Sequence, residues 1–229
     1  MRLAAVALVA AFCVPQTVNA AKPVPSRDWS QTVAATPDGG FRMGNPTAKV
    51  KLVEYGSLAC PHCRHFEETG YRPLVQAYVR PGRVSYEFRN LLLNAPDLSV
   101  SLLAHCAGPA KFFPMTAAVY ATQTQWFDKL AHMTDRQKAE IENMSDAQRN
   151  VRLAEIAGFV ETASRFGVTP AAARQCLSDP KRLEMLLNIT KRAEDAGVNH
   201  TPTFLINGKA IEAATWEQLE PELKKALGG

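Results

Sequence analysis

Residues 53–68 read VEYGSLACPHCRHFEE and contain two cysteines, Cys60 and Cys63, that are separated by two residues. The segment from Val50 to Gly56 is rich in β-branched and apolar residues and predicts a central β-strand. From Pro61 onward, apolar side chains recur at helical spacing and predict a helix. A Cys-X-X-Cys pair at such a junction can bind a metal, form a structural disulfide or exchange electrons with other thiols.

The position of the pair favours electron exchange. Cys60 falls at the start of the predicted helix, where unpaired backbone N–H groups and the helix dipole stabilise a thiolate. We therefore expect Cys60 to be the exposed, attacking sulfur and Cys63, about one turn later, to be the buried resolving thiol. Pro61 suits the first helical turn because it has no N–H. His62 adds a donor that can stabilise the Cys60 thiolate.

The remaining cysteines argue against a metal. A structural zinc site usually takes two close pairs of Cys or His ligands. Cys106 and Cys176 are isolated from each other in the sequence, and His65 beside the first pair does not supply a second pair. The sequence therefore predicts neither a bound metal nor a bound cofactor.

The N-terminus indicates export. Met1-Arg2 provides a positive start, Leu3 to Val14 is apolar, and the following residues end in the small-residue pattern of a signal-peptidase site at Ala20. The apolar stretch is short of the roughly 20 residues that span a bilayer. Cleavage after Ala20 would remove Cys13 and leave four cysteines, an even number that favours disulfide chemistry in an exported protein.

Composition is compatible with a folded α/β protein. The 229 residues are 46% hydrophobic, which is enough for a substantial core. The net charge of +4 is spread without a run of Lys or Arg, so nucleic-acid binding is not predicted. Residues 28–35 predict a first strand, residues 36–48 a turn-rich segment and residues 84–89 a further strand.

The second half of the chain is mostly helical in pattern. Strand signals vanish over residues 97–179, where Ala, Leu, Gln and Glu dominate. A long helix is predicted over residues 181–196, followed by a hairpin that turns at Asn207-Gly208 and a last helix that begins at Thr215. The order of elements is that of an α/β protein with a helical insertion.

Two separate segments resemble one family. VEYGSLACPHCRHFEE resembles the active-site segment of DsbA-like thiol–disulfide oxidoreductases, and HTPTFLING, at residues 200–208, resembles their cis-proline loop and following hairpin. The resemblance implies a thioredoxin fold that is interrupted by a helical domain. It places a signal peptide at residues 1–20, a thioredoxin-like domain at 21–96 and 181–229, and the inserted helical domain at 97–180.

The same resemblance implies a role for each matching residue. These are the nucleophile Cys60, the resolving thiol Cys63, the redox-tuning residues Pro61 and His62, the substrate-binding residue Thr201 and the cis-proline Pro202, which faces the disulfide. A trans proline at the start of a strand is the alternative for Pro202. The resemblance also suggests that Cys106 and Cys176 form a second, structural disulfide; the alternative is two buried free thiols.

Glu54 is a further candidate. It stands six residues before Cys60, on the strand face that Val50 and Leu52 also occupy. A buried carboxylate is unfavourable unless it has a partner or a role. In this superfamily an acidic residue at this spacing is associated with proton transfer to and from the buried cysteine, and we expect the same of Glu54. The alternative is an exposed glutamate at a strand edge.

The resemblance implies a monomeric, periplasmic oxidase. It would introduce disulfides into reduced secreted proteins and would be reoxidised by a quinone-coupled membrane partner of the DsbB kind. One alternative is a disulfide isomerase or reductase whose pair is kept reduced. Thr201 fits that alternative somewhat better, but only about 30 residues separate the cleavage site from the core strand, too few for a dimerisation domain. The other alternative is a thioredoxin-fold binding or chaperone module whose pair is only a staple.

Overall fold

The computed structural model describes residues 27–229; the predicted signal peptide, residues 1–20, lies outside them. The described residues form one six-stranded sheet. Its strands are β1 (Val33–Ala35), β2 (Phe41–Gly44), β3 (Val50–Gly56), β4 (Val84–Asn90), β5 (Thr203–Ile206) and β6 (Lys209–Ile211). The spatial order is β1-β2-β4-β3-β5-β6, in which β3 and β4 are parallel and the other neighbours antiparallel. The central strands β3 and β4 therefore come from the two segments with the clearest strand pattern.

A helical segment connects β3 to β4. It begins as α1 (Pro61–Phe66), widens into a π-type turn over Glu67–Tyr71, returns to α-helical geometry as α2 (Arg72–Leu74) and widens again over Val75–Val79. Gly70 lies in the first wide turn, and Pro73 lies between the two. Pro73 has no N–H to donate within an α-helix, and the widened backbone accommodates it.

The region between β4 and the last helices is entirely helical. Its helices are α3 (Ala95–Cys106), α4 (Pro109–Ala121), α5 (Gln123–Ala131), α6 (Asp135–Glu142), α7 (Asp146–Ala157), α8 (Phe159–Ser164) and α9 (Pro170–Leu177). Helix α3 is the centre of this region and packs against α4, α7, α8 and α9. Thr134 and Ser145 begin α6 and α7 with capping boxes.

The chain returns to the sheet through α10 (Pro180–Asp195), which packs on both α3 and β4. The hairpin of β5 and β6 turns at Asn207 and Gly208, whose positive φ angles of 49° and 83° suit a tight turn. Helix α11 (Trp216–Leu227) ends the fold. None of the helices within residues 27–229 is long and apolar enough to cross a membrane.

Two predictions about the N-terminal part are wrong. The strand predicted over residues 28–35 is confined to β1, because Asp28 accepts a hydrogen bond from the Ser30 N–H and begins a short 3-10 helix. The segment 36–48, predicted to be turns, contains β2. Phe41 and Met43 point into the core from this short strand, which is paired on both sides.

A disulfide joins Cys106, the last residue of α3, to Cys176 in α9, with 6.4 Å between their Cα atoms. It connects two helices that already pack against each other.

Candidate active site

Cys60 occupies the N-terminus of α1. Its backbone is extended, with φ −83° and ψ 124°, and Pro61 follows as the first helical residue. Its Sγ lies 3.2 Å from the carbonyl oxygen of Thr201. The antiparallel pairing of β3 with β5 places Tyr55 opposite Thr203, and this register brings the loop before β5 beside the end of β3. The Thr201–Pro202 peptide bond in that loop is cis.

The two thiols differ strongly in acidity. A hydrogen bond from Cys63 is the main cause that lowers the pKa of Cys60 to about 5; Thr201 and the backbone N–H groups of Cys63 and His62 act in the same direction, against the effect of burial. Burial raises the pKa of Cys63 well above its ordinary value, and the hydrogen bond to Cys60 and the charge of Glu54 add to that rise. Cys60 is therefore a stable thiolate, and Cys63 holds its proton.

The exposure of the pair differs from expectation. Both cysteines are free thiols, but Cys60 is only 4% exposed and Cys63 1%. The prediction that Cys60 is the exposed sulfur is therefore wrong in extent, because the Thr201 carbonyl contacts it. Pro61 and His62 are exposed. The donor that His62 contributes to the Cys60 thiolate is its backbone N–H, not its imidazole ring.

Glu54 is buried near the pair, with 2% of its surface exposed, and interacts electrostatically with both cysteines. The hydroxyl of Tyr86, on the neighbouring strand β4, donates a hydrogen bond to Glu54 Oε2. Burial raises the pKa of Glu54 to about 8, and the Tyr86 hydrogen bond opposes this rise. The alternative of an exposed glutamate at a strand edge is therefore wrong. Glu54 is mainly a neutral acid at neutral pH.

Three helical residues that the sequence did not single out hold the turn before Cys60. The Tyr120 hydroxyl donates to the Ser57 carbonyl at 3.0 Å. The Gln123 amide donates to the carbonyls of Leu58 and Cys60 at 2.9 and 3.1 Å. Asp97 accepts from the Ser57 hydroxyl and the Leu58 N–H. No motif marks these residues, because they lie between about 40 and 65 positions away along the chain.

The described residues offer no alternative metal centre. Within 27–229, no three or more His, Cys, Asp or Glu side chains come together in a way that could hold an ion. Cys106 and Cys176 are bonded to each other and are not available as ligands.

Comparisons with known proteins agree with this geometry. The model of a family described as thioredoxin matches residues 36–225. The solved structure of a protein-disulfide isomerase from Novosphingobium aromaticivorans is 32% identical and superposes with a TM-score of 0.76, covering 82% of this chain and 97% of that one. The chain therefore belongs to the thioredoxin family.

Two further relatives are more distant. Wolbachia pipientis alpha-DsbA1 shares the fold at 22% identity and a TM-score of 0.62, over 84% of this chain and 92% of that one. A Rickettsia bellii protein, by name a candidate protein-disulfide oxidoreductase, is 27% identical over 81% of this chain and 63% of its own length. The chain thus spans about three fifths of the length of such curated relatives. The resemblance to DsbA-like thiol–disulfide oxidoreductases is confirmed.

Proposed function

We propose that the protein is an exported thiol–disulfide oxidoreductase that acts as an oxidase of other proteins. The observation that carries this proposal is the divergence of the two thiols: Cys60 has a pKa of about 5, whereas burial keeps Cys63 protonated. A thiolate that is stable at neutral pH stabilises the reduced form of the pair. A pair whose reduced form is stabilised is a strong oxidant, because the reduction of its disulfide is thermodynamically favourable.

The reaction is two successive thiol exchanges. A substrate thiolate attacks Cys60 Sγ of the Cys60–Cys63 disulfide, a bond forms between the two proteins, and Cys63 leaves with the electron pair and takes up a proton. A second substrate thiolate then attacks the substrate sulfur of that mixed disulfide, and Cys60 leaves as a thiolate. The substrate loses two electrons and gains a disulfide, and the oxidoreductase gains the two electrons.

Glu54 supplies the proton for the first step in this proposal. Cys63 leaves in a buried position where a thiolate is strongly disfavoured. Glu54 is a buried acid close enough to interact electrostatically with Cys63, and with a pKa of about 8 it holds a proton at neutral pH. A group whose pKa lies near the working pH is the most effective donor.

Thr201 and Pro202 form the substrate-binding edge. The Thr201 carbonyl contacts Cys60 Sγ, so an extended substrate segment that reached Cys60 would lie against this backbone. Pro202 has no N–H, and its buried ring lies in the same loop. We propose that these backbone groups align reduced, unfolded secreted proteins. Binding through backbone groups would not depend on the side chains of the substrate.

The remaining parts of the proposal concern the cellular setting. We propose that cleavage after Ala20 releases a monomer into the periplasm, and that a quinone-coupled membrane partner of the DsbB kind reoxidises it. The charge distribution gives no reason to include a nucleic acid among its partners.

One experiment tests the oxidase assignment directly. The purified protein without residues 1–20 is equilibrated in glutathione buffers, and its ability to oxidise a reduced two-cysteine peptide is measured. Thioredoxin has a reduction potential of about −270 mV. We expect this protein to have a potential well above that value, and we expect Cys60→Ala to lose peptide oxidation completely. A potential near thioredoxin's, or activity that survives in Cys60→Ala, would contradict the proposal.

A disulfide isomerase is the second candidate, and one observation favours it. The solved relative at 32% identity is a protein-disulfide isomerase. An isomerase must be reduced when it meets its substrate, so the two candidates differ in a measurable way. The reduced protein is incubated with a scrambled multi-disulfide protein: recovery of native activity at a rate comparable to peptide oxidation would favour the isomerase.

A further inference from the structure

The turn formed by residues 57–60 precedes the reacting sulfur and is held almost entirely by the helical insertion. Residue Ser57 is completely buried, and residues 58–60 are buried too. The Ser57 carbonyl accepts a hydrogen bond from Tyr120 in α4. The carbonyls of Leu58 and Cys60 both accept from Gln123 in α5. Because these hydrogen bonds go to backbone carbonyls, they hold the backbone conformation of the turn.

Asp97 provides the contact at the other side of the turn. It is completely buried, in the first turn of α3. Its Oδ2 accepts from the Ser57 hydroxyl at 2.5 Å and from the Leu93 N–H at 3.0 Å, while Oδ1 accepts from the Leu58 N–H at 3.0 Å. One carboxylate therefore joins the active-site turn to the loop that enters the insertion.

The Ser57 hydroxyl extends this contact toward the cysteine. While it donates to Asp97, its oxygen accepts from the Ala59 N–H at 3.0 Å. The Cys60 N–H in turn donates to the Ser57 carbonyl at 3.1 Å. Ser57 and Leu58 are thus bonded directly to the Asp97 carboxylate and Ala59 is bonded to it through the Ser57 hydroxyl. The N–H of Cys60 is bonded to the carbonyl of Ser57, the residue that Asp97 holds.

The orientation of this turn matters for the thiolate. The groups that lower the pKa of Cys60 are, first, the Cys63 thiol, then the Thr201 side chain and the backbone N–H groups of Cys63 and His62. Their hydrogen bonds require a fixed direction of the Cys60 side chain, which the backbone of the turn determines. Hydrogen bonds weaken steeply as their angle departs from linear, so a turn that rotates loses these contacts together.

We propose that Asp97 is a positioning residue for the reaction at Cys60, through which the helical insertion fixes the turn 57–60 and so maintains the reactive form of the thiolate. This inference rests on the proposed function and deepens it. Asp97 does not touch the reacting atoms; it acts through Ser57 and Leu58. The helical insertion then contributes directly to the geometry of the redox centre.

The test uses Asp97→Asn, which keeps the size of the side chain. One carboxylate oxygen becomes an NH₂ group, so at least one N–H or O–H that now donates to Asp97 faces another donor. We expect the pKa of Cys60, followed by its thiolate absorbance, to rise by about one unit. If the Cys60 pKa rises by one unit and stays below pH 7, the glutathione equilibrium at pH 7 shifts about tenfold toward the disulfide.

Ser57→Ala supplies a second variant in case Asp97→Asn does not fold. It removes the hydroxyl that joins Asp97 to the Ala59 N–H, and we expect a rise in the Cys60 pKa in the same direction. The double variant should rise no further than Asp97→Asn alone, because both changes break one shared connection.

Asn94→Ala is the matched control for general weakening of α3. Asn94 begins this helix by accepting from the Asp97 N–H at 2.9 Å, and it makes no hydrogen bond to the turn. We expect a lower unfolding midpoint with an unchanged Cys60 pKa. The positioning role is overturned by either of two results. In the first, Asp97→Asn and Ser57→Ala leave the Cys60 pKa unchanged and the glutathione equilibrium constant within about twofold of the wild-type value. In the second, Asn94→Ala changes both quantities as much as Asp97→Asn does.

Wild-type protein separates this inference from the proposed function. If wild-type Cys60 titrates near its ordinary value and the protein does not exchange thiols, the proposed function fails. If the wild type is active with a low Cys60 pKa and the two variants behave like it, only the role of Asp97 fails.

Discussion

The Tyr86 hydroxyl donates a hydrogen bond of 2.5 Å to Glu54 Oε2 between the two parallel strands β3 and β4. Both residues are buried, so the pair is closed off from water. The hydrogen bond favours the carboxylate, whereas burial favours the neutral acid; burial is the larger effect and raises the Glu54 pKa to about 8. A neutral acid near two cysteines can give up a proton when Cys63 becomes a thiolate.

We expect Glu54→Gln to slow the reduction of the Cys60–Cys63 disulfide by a substrate thiol. Glutamine has nearly the same shape but no acidic proton, so Cys63 would have to take its proton from water. General acid catalysis contributes at least about a hundredfold in favourable cases, and we expect a decrease of about tenfold or more at pH 7. Rapid mixing with a reduced peptide, followed by thiol trapping, measures this rate.

Glu87→Gln is the matched control, because Glu87 lies in β4 and its carboxylate is occupied by Thr36 and Arg89. The rate should be unaffected by this change. Equal slowing in both variants would show that a proton from Glu54 is not needed.

The acidity of Cys60 predicts how the stability of the reduced protein depends on pH. Folding lowers the Cys60 pKa from its ordinary 9.0 to about 5. A lowered pKa contributes stability that is complete above the unfolded value and is lost as pH falls through the folded value. Relative to Cys60→Ala, the reduced wild type should therefore gain unfolding free energy from pH 5 to pH 8, by up to about 1.4 kcal/mol per pH unit.

Urea unfolding of both proteins in reducing buffer measures that difference. Glu54 and most other groups titrate in both proteins, so their contributions to the pH dependence largely cancel in the difference. Cys63 stays protonated in the folded protein over this range because burial raises its pKa. A difference that stays flat between pH 5 and pH 8 would mean that Cys60 is an ordinary thiol.

The disulfide between Cys106 and Cys176 predicts a separate effect on stability. It closes a loop across a sequence separation of 70 residues. In the chain-entropy description, opening such a loop lowers the unfolding free energy by roughly 4 kcal/mol. We expect the double change Cys106→Ala and Cys176→Ala to cause that loss in denaturant unfolding under oxidising conditions.

The same double variant should keep the Cys60 thiolate titration of the wild type, because the side chains that hold the turn 57–60 are those of Asp97, Tyr120 and Gln123. Under strongly reducing conditions its stability should approach that of the wild type. A double variant as stable as the oxidised wild type would contradict a structural role for this disulfide.

Local patterns in the sequence predicted the Cys60–Cys63 pair at a strand-to-helix junction, because both depend on residues that lie close together in the chain. The opposing loop with Pro202 was implied only by the resemblance to DsbA-like proteins. The turn signal of Asn207-Gly208 and the burial of Glu54 follow from the same kind of local pattern. Strand β2 was missed because a four-residue strand with two glycines on one side looks like a turn until its pairing with β1 and β4 is known.

The contacts of the insertion could not be predicted for a different reason. Asp97, Tyr120 and Gln123 are ordinary helical residues in the sequence, and only the packing of α3, α4 and α5 brings them to the turn 57–60. Their partners are mostly backbone atoms, which leave no trace in the sequence. Sequence patterns identify groups that react, whereas the groups that hold them in place emerge from tertiary packing.

Gly56, the last residue of β3, provides a final prediction. A Cβ atom at this position would lie 2.4 Å from Cε2 of Phe88 and 2.9 Å from Glu54 Oε1. Phe88 is buried and pairs with Glu54 in register, so it has no free space to move into. We therefore expect Gly56→Ala to lower the unfolding free energy by about 1–3 kcal/mol through overpacking and to slow peptide oxidation by displacing Glu54.

Phe88→Leu in the Gly56→Ala background tests the cause. A smaller side chain at position 88 removes the clash, so the double variant should regain part of the stability and part of the oxidation rate that Gly56→Ala loses. Thermal unfolding and peptide oxidation are measured on the same samples. If Phe88→Leu adds its own loss instead of restoring either property, crowding between Gly56, Phe88 and Glu54 does not limit the site.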